Sequence, residues 1–181
     1  AKREYTWLVV KMGGGKSLTL LAGLGLIGKD FAHINLCNRK WSTKQKAVHL
    51  KTVIDEGPSE LVIIINYDAL RTQNDLTKLL QKIPLASINL DESQRIKAPR
   101  SKAGAFLKKL ARSNPSAKRT LLTGTPMPHS PFDLWNQFKF LDPMIYPHAF
   151  GQWKQTVAVL HPELRFPVKW INQEIPQRIL A

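Results

Sequence analysis

Two short strings in this chain carry residue types that act on phosphates. Met12-Gly13-Gly14-Gly15-Lys16-Ser17 is a glycine turn running into a lysine and a hydroxyl, and Asp91-Glu92 follows a strand candidate from Ala86 to Leu90. Glycines let backbone N–H groups turn inward around phosphate oxygens with no Cβ in the way. A helix starting at Lys16 adds its unpaired N–H groups and the positive end of its dipole. In that setting Lys16 neutralises β- and γ-phosphate charge, and the Ser17 hydroxyl ligates Mg²⁺. Asp91 is the expected second Mg²⁺ contact. Glu92, one residue on, is placed to polarise an attacking water. Together the strings predict ATP binding and hydrolysis, with Lys16 and Glu92 as the catalytic pair.

These residues need strands to deliver them. Thr6 to Val10 is a β-prone apolar run before the glycines, and Leu18 to Ala22 suits the helix after them. The strict G-x-x-x-x-G-K-[ST] pattern places glycine at position 10, where this chain has Val10. The variant A-x-x-G-x-G-K-[ST] fits from Gly13 onward. Strand candidates at 6–10, 32–37, 61–66, 86–90 and 119–122 alternate with helical stretches at 16–28, 42–55, 68–82, 101–113 and 130–141. That alternation predicts an α/β fold, a parallel sheet with helices on both faces. Ligands on such sheets gather at the carboxyl ends of the strands. Ser130 and Pro131 read as N-cap and first helical residue. In 103–110 the apolar residues fall at helical spacing, which turns the lysines outward.

A third string, Arg119 to Pro126 with Leu121-Leu122-Thr123-Gly124-Thr125-Pro126 at its centre, is followed by Asp133-Leu134-Trp135 and Phe140-Leu141-Asp142-Pro143. Here, with Asp91-Glu92 and Arg95-Ile96-Lys97, the chain resembles superfamily 2 helicases, and among them the Swi/Snf-type DNA-translocating ATPases. Ile65 to Arg71 is similar to the motif that family carries between the first two strings. The resemblance covers roughly residues 6 to 150. It implies a RecA-like P-loop NTPase lobe over 1–143 and a family-like extension over 144–181, where the alternating pattern fades. It also implies ATP and Mg²⁺ as cofactors and double-stranded DNA as partner, and a second RecA-like lobe of the same full-length protein that supplies arginines to the γ-phosphate. Gln94, Thr123, Gly124 and Thr125 fall at positions that couple the γ-phosphate to the rest of the lobe. The family has His where this chain has Gln94 and Asn where it has Ala98. It also carries a proline-bearing motif after the second strand that Cys37 to Trp41 lacks. The expected compartment is cytoplasmic in a bacterial or phage-infected cell, or nuclear in a eukaryote. Two other readings stay open: a strand-separating helicase on DNA or RNA, and a non-hydrolysing, nucleotide-gated nucleic-acid-binding module.

Composition bounds these readings. The 181 residues suffice for one well-buried domain. No apolar run approaches a membrane span; the longest, Leu18 to Gly28, suits a buried helix. The single Cys37 excludes an internal disulfide framework and reads as core filler, and the five histidines lack metal-ligand spacing. The net charge of +14, from 27 basic and 13 acidic residues, favours a polyanionic partner. Trp41, inside the basic run Arg39 to Lys46, is expected to pack rather than to stack on a base.

Overall fold

In a computed structural model of the chain, residues 5–9, 14–25 and 32–176 are described. Strands β1 (Tyr5–Val9), β4 (Ser87–Leu90) and β5 (Lys118–Thr123) form a parallel set in the order β1-β5-β4. Strands β2 (Ala32–Asn35) and β3 (Leu61–Ile64) form a second parallel pair. The single ladder expected from the sequence is thus two hydrogen-bonded sets. One apolar core joins them, running from Ile34 and Leu36 through Ile88, Leu90 and Leu121 to Phe140. Because β5 lies between β1 and β4 and all three run parallel, their carboxyl ends lie at one edge.

Local chemistry sets the helix limits. Helix α1 (Lys16–Gly23) follows Gly15, whose φ of 72° is left-handed and suits glycine. α1 was expected to be buried, yet Leu18 is 64% exposed and Lys16 is its one buried residue. No described helix covers its outer face. Helix α2 (Thr43–Asp55) opens on a capping box: the Gln45 N–H donates to Ser42 Oγ, and the Ser42 N–H donates to Gln45 Oε1. The helix expected over 68–82 is instead a 3₁₀ turn (Tyr67–Leu70) followed by α3 (Asp75–Leu80). Asn74 divides them. Its amide donates to the carbonyls of Ala69 and Thr72, while its Oδ1 accepts the Thr77 N–H as the cap of α3. Trp41 packs edge-on against His49 as expected, 5.1 Å between centroids, and Cys37 is half-buried two residues beyond β2, which ends at Asn35 rather than at 37.

Helix α4 (Lys102–Ser113) buries Ala103, Gly104, Leu107 and Leu110, following the predicted spacing. Lys109 points outward as expected, but Lys108 turns inward and lies half-buried over Trp135. Ser130 caps a 3₁₀ turn (Pro131–Leu134) that passes into α5 (Trp135–Leu141). Beyond Pro143, where the sequence pattern fades, α6 (Phe150–Val157) leads into a hairpin of β6 (Ala158–Leu160) and β7 (Pro167–Trp170). Fully buried Trp153 anchors this segment against Phe138, Leu134 and Val157 in a second, aromatic core. The extension is therefore packed onto the lobe through α5.

Candidate nucleotide site

At the shared strand edge, the Lys16 ammonium lies 3.8 Å from Glu92 Oε1, with the lysine 9% and the carboxylate 40% exposed. Glu92 Oε2 accepts a 2.6 Å hydrogen bond from the Gln94 amide, and Gln94 Oε1 accepts one of 2.6 Å from the Thr123 hydroxyl. Thr123 Oγ1 in turn accepts the Thr125 N–H at 3.0 Å. The carboxylate can only accept here, so the amide must present its NH₂ to Glu92 and its oxygen to Thr123. One continuous relay thus links the glycine-loop lysine, the carboxylate and the loop after β5. A single amide supplies both the donor and the acceptor, and it does so without titrating. Gly124, between the two threonines, lies in the described loop but is not a member of the relay.

The carboxylate corner is held from behind. Glu92 has φ 48° and ψ 52°, a left-handed conformation that costs a non-glycine residue about 1 kcal/mol. The Glu92 N–H donates to Asp91 Oδ1, and the Tyr67 hydroxyl donates to the Asp91 carbonyl at 2.6 Å. Burial, and then the Asp91 carboxylate, push the Tyr67 phenol well above its ordinary range. It therefore stays a neutral donor. Arg95 lies over the Tyr67 ring at 5.6 Å.

The loop after the corner is fastened by three residues around the start of α5. Asp133 faces Lys97 at 3.7 Å, Asn136 donates to the carbonyls of Ile96 and Ala98, and Gln137 accepts from Ser93. Gln137 also donates to the carbonyls of Pro126 and Asp133, so it ties both loops together. Gly104 is required by this arrangement: a Cβ there would sit 2.7 Å from the Asn136 amide nitrogen. Sequence reasoning did not assign roles to Tyr67, Asn136 and Gln137. The signal was present, since all three stand inside family-like runs, but a run does not say which side chain turns inward.

Of the predicted residues, the structure brings together Lys16, Glu92, Gln94, Thr123 and Thr125. Ser17 is exposed in the first turn of α1, Asp91 is exposed at the end of β4, and Gly14 and Gly15 are exposed before α1. Met12 and Gly13 lie outside the described residues. Ser17 and Asp91 offer one hydroxyl and one carboxylate, both hard oxygen donors. That pair suits Mg²⁺, which keeps several waters and takes further oxygens from a nucleotide. Among the described residues no group of three His, Cys, Asp or Glu side chains could hold a metal unaided.

The profile of the SNF2-related domain family matches residues 29–163. The chain is 32% identical over 142 residues to the DNA repair and recombination protein RAD26 of Saccharomyces cerevisiae, which is 77% of this chain and 12% of that protein. It is 31% identical over 90 residues to the ATP-dependent DNA helicase DDM1 of Arabidopsis thaliana, 50% of this chain and 11% of that protein. This chain therefore matches about a tenth of either relative's length. Its fold is similar to that of the Sulfolobus solfataricus SWI2/SNF2 ATPase core in complex with dsDNA, with a TM-score of 0.50 at 19% identity over 85% of this chain and 28% of that one. That likeness bears on the fold and agrees with a RecA-like α/β lobe. Because the family profile runs from ahead of β2 to beyond β6, across both carboxylates and the loop after β5, the chain belongs to the SNF2-related domain family.

Proposed function

We propose that this chain is the ATP-binding lobe of an ATP-dependent translocase that moves on double-stranded DNA. The observation that carries the reading is the relay from Lys16 through Glu92 and Gln94 to Thr123 and Thr125. In the ion pair, Glu92 holds Lys16 at the carboxyl edge of the strands. An incoming triphosphate offers Lys16 a more highly charged partner, which frees one Glu92 oxygen to accept a proton from water. Gln94 keeps the other oxygen in place, so the general base is oriented when its partner leaves. The same amide reports that exchange to Thr123 and so to the loop at Thr125. Mg²⁺ bound with the nucleotide would be held by Ser17 and Asp91 and would offset charge on the β- and γ-phosphates.

In our reading a second RecA-like lobe of the full-length protein closes the γ-phosphate side of this site with arginines. An arginine of that kind is commonly worth about 10³–10⁵ in rate, so residues 1–181 alone should turn over ATP weakly. The +14 charge supports a polyanionic partner, and the named activities of the relatives support DNA. No described helix is long and apolar enough to cross a membrane. A cytoplasmic or nuclear site of action fits the reading.

Two measurements test it. Titration calorimetry should show Lys16→Ala binding ATP at least about tenfold more weakly, equivalent to about 1.4 kcal/mol. Equal affinity would remove Lys16 from the site. Steady-state ATPase of the full-length protein should rise with duplex DNA more than with single strands. Stimulation by single strands alone would favour a strand-separating helicase, and binding without turnover a nucleotide-gated module.

A further inference from the structure

A second concentration of positive charge lies at the other end of the sheet. From Ser93 to Phe132 the chain has nine lysines and arginines and no aspartate or glutamate. Part of this run converges with Lys139 on a pocket of about 240 Å³, where Lys108, Arg112, Arg119, Trp135 and Lys139 line the wall. Arg119 stands near the start of β5 and Thr123 at its end, so this pocket opens at the edge opposite the Lys16–Glu92 pair.

The floor is structural. Arg119, 5% exposed, donates to the carbonyls of Phe140 and Leu141 at the C-terminus of α5 and to Ala111 near the C-terminus of α4. Its charge answers two helix dipoles. The other three cations of the lining, Lys108, Arg112 and Lys139, meet no carboxylate among the described residues. The ammoniums of Lys108 and Lys139 lie 5.4 Å and 5.6 Å from the centre of the Trp135 ring. Lys108 donates to Asn136, and Lys139 to the Tyr146 carbonyl at 2.7 Å, both neutral acceptors. Arg112 uses its Nε on the Lys108 carbonyl. Among the described residues that line the pocket none is a carboxylate. Asp142, next in the chain to the lining Pro143, accepts the Met144 N–H. Burial lowers the affinity of both lysines for their protons, and for Lys108 the nearby Arg112 and Lys139 lower it further. Cations gathered in a half-enclosed space with only neutral acceptors are stabilised by an entering anion.

We propose that this pocket is a phosphate-binding subsite separate from the nucleotide loop, in which Lys108, Arg112 and Lys139 hold one phosphate group of a nucleic-acid backbone or a free phosphate anion. A tetrahedral phosphate offers several acceptors to donors converging from two helices, α4 and α5. Lys102, Lys109 and Arg112 are exposed along α4 and extend the cationic face beyond the pocket, which suits a chain of phosphates. The inference stands whether or not the Lys16 site hydrolyses ATP.

The test uses the full chain carrying Lys16→Ala, so that the glycine loop does not compete for phosphate. Tryptophans are replaced by 5-fluorotryptophan, and the Trp135 resonance is assigned with Trp135→Phe. Inorganic phosphate should shift the Trp135 resonance saturably. The Lys108→Gln/Lys139→Gln pair should lose that shift, and Lys108→Arg/Lys139→Arg should retain it. In parallel, duplex affinity is read by fluorescence anisotropy against Lys82→Gln/Lys169→Gln, which removes the same charge elsewhere on the surface. A fall of about tenfold beyond that control identifies the backbone as the source of the phosphate. A phosphate shift with duplex affinity equal to the control identifies a free anion. No shift with either phosphate or duplex, or a shift that survives in the glutamine pair, overturns the proposal. If the glutamine pair fails to fold, Arg112→Gln at the exposed rim is read in the same way.

Discussion

Lys16 and Arg119 are both buried cations, placed at opposite edges of the same three strands, and the protein answers their charges in different ways. Arg119 is met by three backbone carbonyls at two helix ends, partners that cannot leave without unfolding the helices. Lys16 is met by a side-chain carboxylate that is 40% exposed and held at 3.8 Å. The first arrangement is permanent and the second exchangeable. A cation answered by dipoles builds the fold, whereas one answered by a half-exposed side-chain carboxylate can be handed to a phosphate. The glycine before Lys16 and the left-handed Glu92 belong to the exchangeable edge, where local backbone strain is accepted in return for position.

If that contrast is right, the largest effect on stability comes from Arg119. Arg119→Ala leaves three carbonyls at two helix ends without their donor and opens a cavity beneath α4 and α5. Chemical denaturation should show a loss of about 3 kcal/mol or more. A loss under about 1 kcal/mol would mean that water replaces the guanidinium and that the floor is not structural.

A smaller effect is expected inside the relay. Thr123→Val keeps the shape but removes the hydroxyl that joins Gln94 to Thr125. It strands the Gln94 oxygen and the Thr125 N–H, at a cost of about 1–3 kcal/mol. In the full-length protein, ATP affinity should change little while turnover falls. Unchanged turnover would confine Thr123 to a structural role and sharpen the boundary between the two edges.

The smallest effect is tied to pH. The Tyr67 phenol is raised above its ordinary value of 10.0, chiefly by burial. An acid whose folded pKa is raised holds its proton more tightly in the native state. Its contribution is therefore fully present below about pH 10 and declines as the unfolded chain ionises above it. Stability should fall with rising pH from about 10, and Tyr67→Phe should flatten that fall. A slope unchanged in the phenylalanine variant would assign it to other groups.

Much of this was legible from residue order. The Lys16-Ser17 and Asp91-Glu92 pairs, the strand before each, and the Ser130-Pro131 helix start are set by local chemistry. Helices α2 and α4 open on serines of the same kind, Ser42 and Ser101, the latter accepting the Gly104 N–H. What the sequence did not disclose depends on long-range geometry. Tyr67 reaches Asp91 and Gln137 reaches Ser93 across contacts no periodicity encodes. The helix expected over 68–82 broke because Asn74 competes for backbone donors and acceptors within its own turn. Lys108 sits at a position that helical spacing turns outward, but the Trp135 ring of α5 draws it in. The exposure of α1 was hidden for another reason: a leucine-rich run shows that a face can be buried, not that a described element covers it.

The most direct test of the account is Glu92→Gln in the full-length protein, with ATP affinity and duplex-stimulated turnover measured on the same preparation. Glutamine keeps the shape and can still meet Gln94, but it cannot take a proton from water. The account predicts that nucleotide binding persists while turnover is abolished. Turnover equal to the parent would contradict it, because the carboxylate that Lys16 and Gln94 hold at the strand edge would then not be the base.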